Sequence, residues 1–296
     1  MMVRVRKRAG ASVGGRVARK AYRSIGGNIV LFGILAAMGA FMVLPLFYAV
    51  ISAFKPLEEF FIFPPRFYVI NPTTDNFTQL FAVTANLWMP FSRYLFNSAM
   101  ICVVSTAGNL FLSSMAAYVL AKHEFKGKSV VWSIIIISLL FTSRVMSIPQ
   151  YLVFAGLGLI DTIWVIVLPS IGMTLGVFLM KQFMEGIPTA ILESARIDGA
   201  GEFRICWQVV MPSVKPAWIT MIIFVFQNVW NSTGGNMIYT ESKKVLPTIL
   251  TQISASGMVR AGVGSAAALI LLIPPVLVFV FAQSRIMETM ASSGVK

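Results

Sequence analysis

Apolar residues in this chain gather into long runs instead of alternating along it. Six runs stand out, at about 28–54, 94–121, 129–142, 162–181, 217–234 and 261–282. A helix crossing ~30 Å of hydrocarbon needs about 20 apolar residues. The pattern predicts an all-α polytopic membrane protein with six transmembrane helices. Between the fourth and fifth runs, residues 185–216 are polar yet periodic. Pro188, Ile191, Leu192 and Ala195 fall at i, i+3, i+4 and i+7, with Glu193, Arg196 and Asp198 pointing elsewhere. Gly199 and Gly201 predict the stop, because glycine accepts the left-handed geometry of a helix end. A second stripe follows, Phe203, Cys206, Trp207 and Val210, closed by Pro212 and Pro216. Two short amphipathic helices held between spans predict a docking surface.

The other connections are less regular. In 55–93, four prolines (Pro56, Pro64, Pro65, Pro72) forbid a long helix, and Asp75-Asn76-Phe77 opens a short one. Phe60, Phe61, Phe63, Phe67, Tyr68 and Trp88 there suit a membrane interface. Residues 144–161 carry Pro and Gly and predict a re-entrant or interfacial connection, with Arg144 snorkelling from a span end. Residues 235–260 read as a polar loop rich in Ser, Thr and Gly. Gly172 and Gly176 form a small-xxx-small pattern that permits close helix packing.

Composition strengthens the membrane reading. Of 296 residues, 57% are hydrophobic and 12% charged, against about 25% charged in soluble domains. The 24 Lys and Arg exceed the 11 acids, and eight of them lie in the first 27 residues. That concentration, with other cations flanking the runs, is a topology signal and argues against a nucleic-acid partner. The run at 28–54 is too long for the core of a secretory signal and reads as a first span. Six spans place both termini on one side. That side (1–27, 122–128, 181–216 and 285–296) holds 17 Lys and Arg, and the other (55–93, 144–161 and 235–260) holds 7. The bias puts both termini and the 185–216 insert in the cytoplasm. The chain divides into a basic tail (1–27), a transmembrane domain (28–284) and a short C-terminal tail (285–296).

Catalytic constellations are missing from the sequence. Its GxSxG match, Gly10 to Gly14, lies in the basic tail and not on a strand-to-helix turn, and it has no HExxH or phosphate-binding GxxxxGK[ST] pattern. Its one histidine, His123, reads as a solvated loop residue, and Glu193, Asp198 and Glu202 read as helix-surface charges. Cys102 and Cys206 fall in a span and in the insert, so no disulfide is expected. No metal or cofactor is expected on this chain, and it reads as a non-catalytic subunit. Gln227, Asn228, Trp230, Asn231 and Ser232 are polar or amphipathic within the fifth run. Amides hydrogen-bond sugar hydroxyls and an indole stacks on a sugar face. The same residues equally suit interhelix hydrogen bonding with an interfacial tryptophan.

Glu193 to Pro212 resembles the EAA signature of ABC importer membrane subunits, roughly EAAxxxG, nine residues, then IxLP. Glu193, Ser194, Ala195 and Gly199 match its first half, and Val209, Met211 and Pro212 its second. The NPTTDNF, FNS and LAKHEFKGK segments and the terminal SSGVK are similar to carbohydrate-uptake permeases of the MalG-like kind. The likeness runs from about residue 28 onward. Ser194 departs from the usual Ala, Val209 and Met211 are conservative changes, and Cys206 stands where relatives often carry an aromatic.

That resemblance implies a type I ABC importer fold in a bacterial inner membrane. It implies a second homologous permease as heterodimer partner, two ATP-binding subunits that carry ATP and Mg, and an extracytoplasmic solute-binding protein. Ile191, Leu192, Glu193, Ser194, Ala195, Arg196, Asp198, Gly199 and Phe203 would couple to the ATPase. Asn228, Trp230 and Asn231 would line the path of a sugar or oligosaccharide. The 235–260 loop would reach into the binding protein's cleft. A non-sugar solute, peptide or osmolyte, is the alternative cargo.

Overall fold

The computed structural model describes residues 25–85, 89–255, 257 and 260–293, with the side chains of 143, 236 and 284–293 left aside. Residues 1–24 of the basic tail, Trp88 and the last three residues of SSGVK therefore lie outside the described residues. Regular structure among the described residues is helical throughout. The chain opens with α1 (Ile25–Ala53), α2 (Leu57–Phe60), α3 (Asp75–Ala85) and α4 (Phe91–Lys122). It continues with α5 (Lys128–Ser138), α6 (Ser143–Gly156), α7 (Trp164–Ile171), α8 (Thr174–Glu185) and α9 (Thr189–Ile197). Last come α10 (Glu202–Ser213), α11 (Lys215–Trp230), α12 (Leu246–Ser254) and α13 (Ala261–Ser293).

Residues up to Phe47 form one unit and those from Tyr48 a second. In the first, residues 26–47 of α1 are all exposed and nearly all apolar, a surface suited to lipid and not to water. In the second, α4 is the central helix, packed by α7, α8 and α11, while α13 covers α11, α12 and α3.

Four stretches are long and apolar enough to span a membrane: Gly26–Ala53, Phe91–Lys122, Trp164–Glu185 and Ala261–Gln283. A fifth comes from α10 and α11 if that pair, bent by 88°, is one span. The span expected at 129–142 is different. Helix α5 has 11 residues, about 16 Å at ~1.5 Å per residue, too short alone for ~30 Å of hydrocarbon. The chain breaks after α5 and resumes as α6, which runs through Pro149. The connection expected at 144–161 is thus largely helix, because a helix at membrane depth can keep going past a proline when neighbouring groups satisfy the freed backbone.

The centre of the second unit is set by one buried amide. The α7–α8 stretch is interrupted at Gly172-Met173, which frees backbone carbonyls in an apolar setting. Asn109, fully buried on α4, donates to the carbonyls of Ser170 at 3.1 Å, Ile171 at 2.8 Å and Met173 at 3.3 Å. Next to it, a Cβ on Gly176 would stand 2.7 Å from Asn109 Oδ1 and Ser113 Oγ and 2.9 Å from Met221 Sδ. Gly176 is therefore the close-approach point of α8 with α4 and α11. Gly172 meets only carbonyls of its own preceding turn.

The 235–260 segment is not a free loop. Leu246, Ile249, Leu250 and Ile253 of α12 are buried at i, i+3, i+4 and i+7, against α13 and α4. That stripe is visible in the sequence beneath the surrounding Ser and Thr.

Candidate functional site

Helix α9 ends in a Schellman turn. Gly199, at φ +81°, donates to the Arg196 carbonyl at 3.0 Å, and Ala200 donates to the Ala195 carbonyl at 3.0 Å. Only Leu192 of α9 is buried. It packs into this chain's own core. Ala195 is half-buried, while Glu193, Ser194, Arg196, Asp198 and Gly199 are exposed. The apolar side chains that stay available are Ile191, Ile197 and Phe203, with Ile197 86% exposed.

Helix α10 departs from a regular α pitch over Ile205–Val210, where it widens into a π segment. The wider turn changes which side chains share a face. Ile205, Cys206 and Val210 are buried, and Phe203, expected on that stripe, points outward. Trp207 lies between, stacked on Phe111 of α4 at 5.9 Å between ring centroids.

The sharpest electrostatic feature of this region is Glu202, whose sequence context predicts only a helix-surface charge. Its Oε1 accepts from Arg196 Nε at 2.8 Å, and its Oε2 accepts from the Tyr118 hydroxyl at 2.6 Å. His123 Nε2 stands 3.3 Å from Oε2, and its ring meets Tyr118 edge-on at 5.3 Å. The Arg196 guanidinium, then the Tyr118 hydroxyl, bring the Glu202 carboxyl down to about 2. His123 is therefore a partner in this cluster, not a freely solvated loop residue. Lys122, its neighbour, donates to the carbonyls of Ile187 at 2.6 Å and Glu185 at 3.3 Å, capping the end of α8. The C-terminal end of α4 is thus bound to both sides of α9.

The opposite end of α4 holds the other polar segment. Asn97 donates to the carbonyls of Ser242 and Lys244, each at 2.9 Å. The Tyr94 hydroxyl donates to Glu241 at 2.9 Å, and Leu246 N–H donates to Ser98 Oγ at 2.8 Å. Asp161, in left-handed backbone at φ 59°, accepts from the N–H groups of Tyr239 at 3.0 Å and Thr240 at 2.8 Å. It also accepts from the Thr240 hydroxyl and from Lys243 Nζ, the latter at 3.1 Å. Burial alone would raise this carboxyl, but the four donors hold it well below the usual carboxylate range.

The residues proposed from sequence for the solute path separate in the structure. Trp230 is 4% exposed, stacked on Phe226 at 5.8 Å, and its indole N–H donates to the Leu271 carbonyl at 3.0 Å. It packs α11 onto α13, and a buried indole has no free face for a sugar. Asn231 is exposed and donates back to the Gln227 carbonyl at 2.8 Å, closing α11. Asn228 is exposed. Among the described residues no group of three or more His, Cys, Asp or Glu side chains is assembled, and Cys102 and Cys206 are free and buried.

Residues 109–290 match the family described as the binding-protein-dependent transport system inner membrane component. The chain belongs to that family and is a multi-pass membrane protein. Protein LplC of Bacillus subtilis (strain 168) is 31% identical over 290 residues, covering 91% of this chain and 93% of LplC. The arabinooligosaccharides transport system permease protein AraQ of the same organism is 31% identical over 224 residues, 75% of this chain and 78% of AraQ. In three dimensions the chain matches one from the crystal structure of a bacterial ABC transporter involved in the import of the acidic polysaccharide alginate. The TM-score is 0.71, with 21% identity and coverage of 88% and 98% of the two chains. The fold is that of a type I ABC importer permease.

Proposed function

We propose that this chain is one permease subunit of an ATP-driven importer and forms half the translocation pathway for a sugar or oligosaccharide. An extracytoplasmic solute-binding protein delivers the cargo, a second homologous permease supplies the other half, and two separate subunits bind ATP and Mg and hydrolyse the nucleotide. This chain itself carries transport, not catalysis. The observation that carries the reading is the α9–α10 pair. It is a rigid, glycine-turned unit with Ile191, Ile197 and Phe203 exposed among Glu193 and Asp198. A solvent-facing apolar patch with a charged rim has the character of a protein interface. The Lys and Arg bias supports a cytoplasmic position for this pair and for both termini. The relationship to AraQ, a permease protein of an arabinooligosaccharides transport system, supports the carbohydrate class. Asn228, exposed on α11, remains the proposed contact of this chain with the solute.

The test is reconstitution in proteoliposomes with the second permease, the ATPase and the solute-binding protein. ATP hydrolysis stimulated by the loaded binding protein and uptake of a plant-polysaccharide oligosaccharide are expected. Stimulation and uptake with a peptide or osmolyte, and with no glycan, would move the cargo to the alternative class. Glu193→Ala and Gly199→Pro are expected to uncouple hydrolysis from uptake, and wild-type transport by Gly199→Pro would sink the docking role.

A further inference from the structure

The α9–α10 pair and α4 are far apart in sequence, yet beside the Trp207–Phe111 stack the Glu202 carboxylate joins them. Glu202 uses both oxygens: one for Arg196 within the pair, the other for Tyr118 and His123 at the end of α4. The charge-assisted bonds, at 2.8 and 2.6 Å, are of the strong, geometry-fixing kind. Tyr118 is itself 2% exposed, so its ring is gripped by the core and its hydroxyl position is set by α4. Helix α4 has 32 residues, about 48 Å at ~1.5 Å per residue. Its far end holds residues 241–246 through Tyr94, Asn97 and Ser98.

We propose that Glu202 is a positioning residue that hooks the α9–α10 pair onto Tyr118, so that α4 carries the pair's displacement to the opposite face of the membrane. This rests on the importer reading above. The α10–α11 backbone offers a second route, but it turns through 88° at Val214, where an angular hinge can absorb motion. The Glu202–Tyr118 contact bypasses that hinge. Displacement of α9 then moves α4 as a strut, and the 241–246 segment moves with its other end.

The experiment uses the full reconstituted complex and the ratio of solute imported to ATP hydrolysed. Glu202→Ala removes the hook, Tyr118→Phe removes its 2.6 Å bond, and both leave Ile191, Ile197 and Phe203 in place. Each is expected to lower the ratio about tenfold, as loss of one charge-assisted bond implies, with subunit co-purification unchanged. The double variant is expected to match Glu202→Ala alone, since Glu202→Ala already removes the partner of the Tyr118 hydroxyl. An unchanged ratio in an intact complex would overturn the proposal. Loss of co-purification in both single variants would also overturn it, by assigning the residues to assembly. Failure of the importer reading is separate: the wild-type complex would then show no stimulation by any binding protein.

Discussion

Single residues decide the geometry at both ends of the molecule. Gly199 sits at φ +81° with open space around the missing Cβ, so the penalty for any side chain there is backbone strain. Gly199→Val is expected to lose about 1–2 kcal/mol locally and to reduce transport, read by uptake in the reconstituted complex. Asp161 and Glu202 are carboxyls whose folded pKa is depressed. Such a group's stabilisation is fully present above its unfolded value of about 4 and is lost as pH falls toward the folded value. Asp161→Asn is therefore expected to lower the melting temperature by a constant amount from about pH 8 to pH 5, and the deficit is expected to shrink toward about pH 3. A deficit that grows on acidification would contradict the assignment. The Gly199 turn was legible because its signal is local, a glycine four residues past Ala195. The Glu202–Tyr118 bond was not, since Tyr118 lies 84 residues away and pairing at that distance leaves no periodicity to read.

Among elements, the contrast between what the sequence predicted and what formed follows period and competition. Helix α12 carried its stripe openly, but its Ser and Thr neighbours read as loop. Helix α6 was hidden by Pro149, and α10 widens where a regular pitch was expected, which turned Phe203 outward. Trp230 faced inward because burying an indole with its N–H bonded to Leu271 satisfies both its apolar area and its donor. The α4–α8–α11 contact tests the packing account. Gly176→Val places carbon where Asn109, Ser113 and Met221 already stand, and overpacking of this kind costs about 1–3 kcal/mol. Asn109→Leu removes the donor shared by three carbonyls, and leaving buried acceptors unpaired costs about 1–3 kcal/mol. Both are expected to lower the thermal stability of the detergent-solubilised chain. Because the sites touch, the double variant is expected to be less than additive.

At the scale of the whole molecule, polar segments gather at the two ends of α4. The loop after α4 and the α9–α10 pair meet through Tyr118, Lys122 and His123. The segments around Asp161 and 239–246 meet at the other end through Arg93, Tyr94 and Lys243. Segments assigned to one side by Lys and Arg content are therefore in mutual contact, and no described bond joins a segment of one set to a segment of the other. The orientation of this arrangement in the membrane can be measured directly. Both native cysteines are buried, Cys102 at 2% exposure and Cys206 at 0%, so a membrane-impermeant maleimide has little native thiol to find. Ile197 and Tyr239 are 86% and 68% exposed and sit at opposite ends. Tyr239→Cys in intact cells is expected to label from outside, and Ile197→Cys only after the membrane is opened. The reverse pattern would invert the topology, place the α9–α10 pair away from cytoplasmic ATP, and remove the physical basis for importer coupling through Glu202.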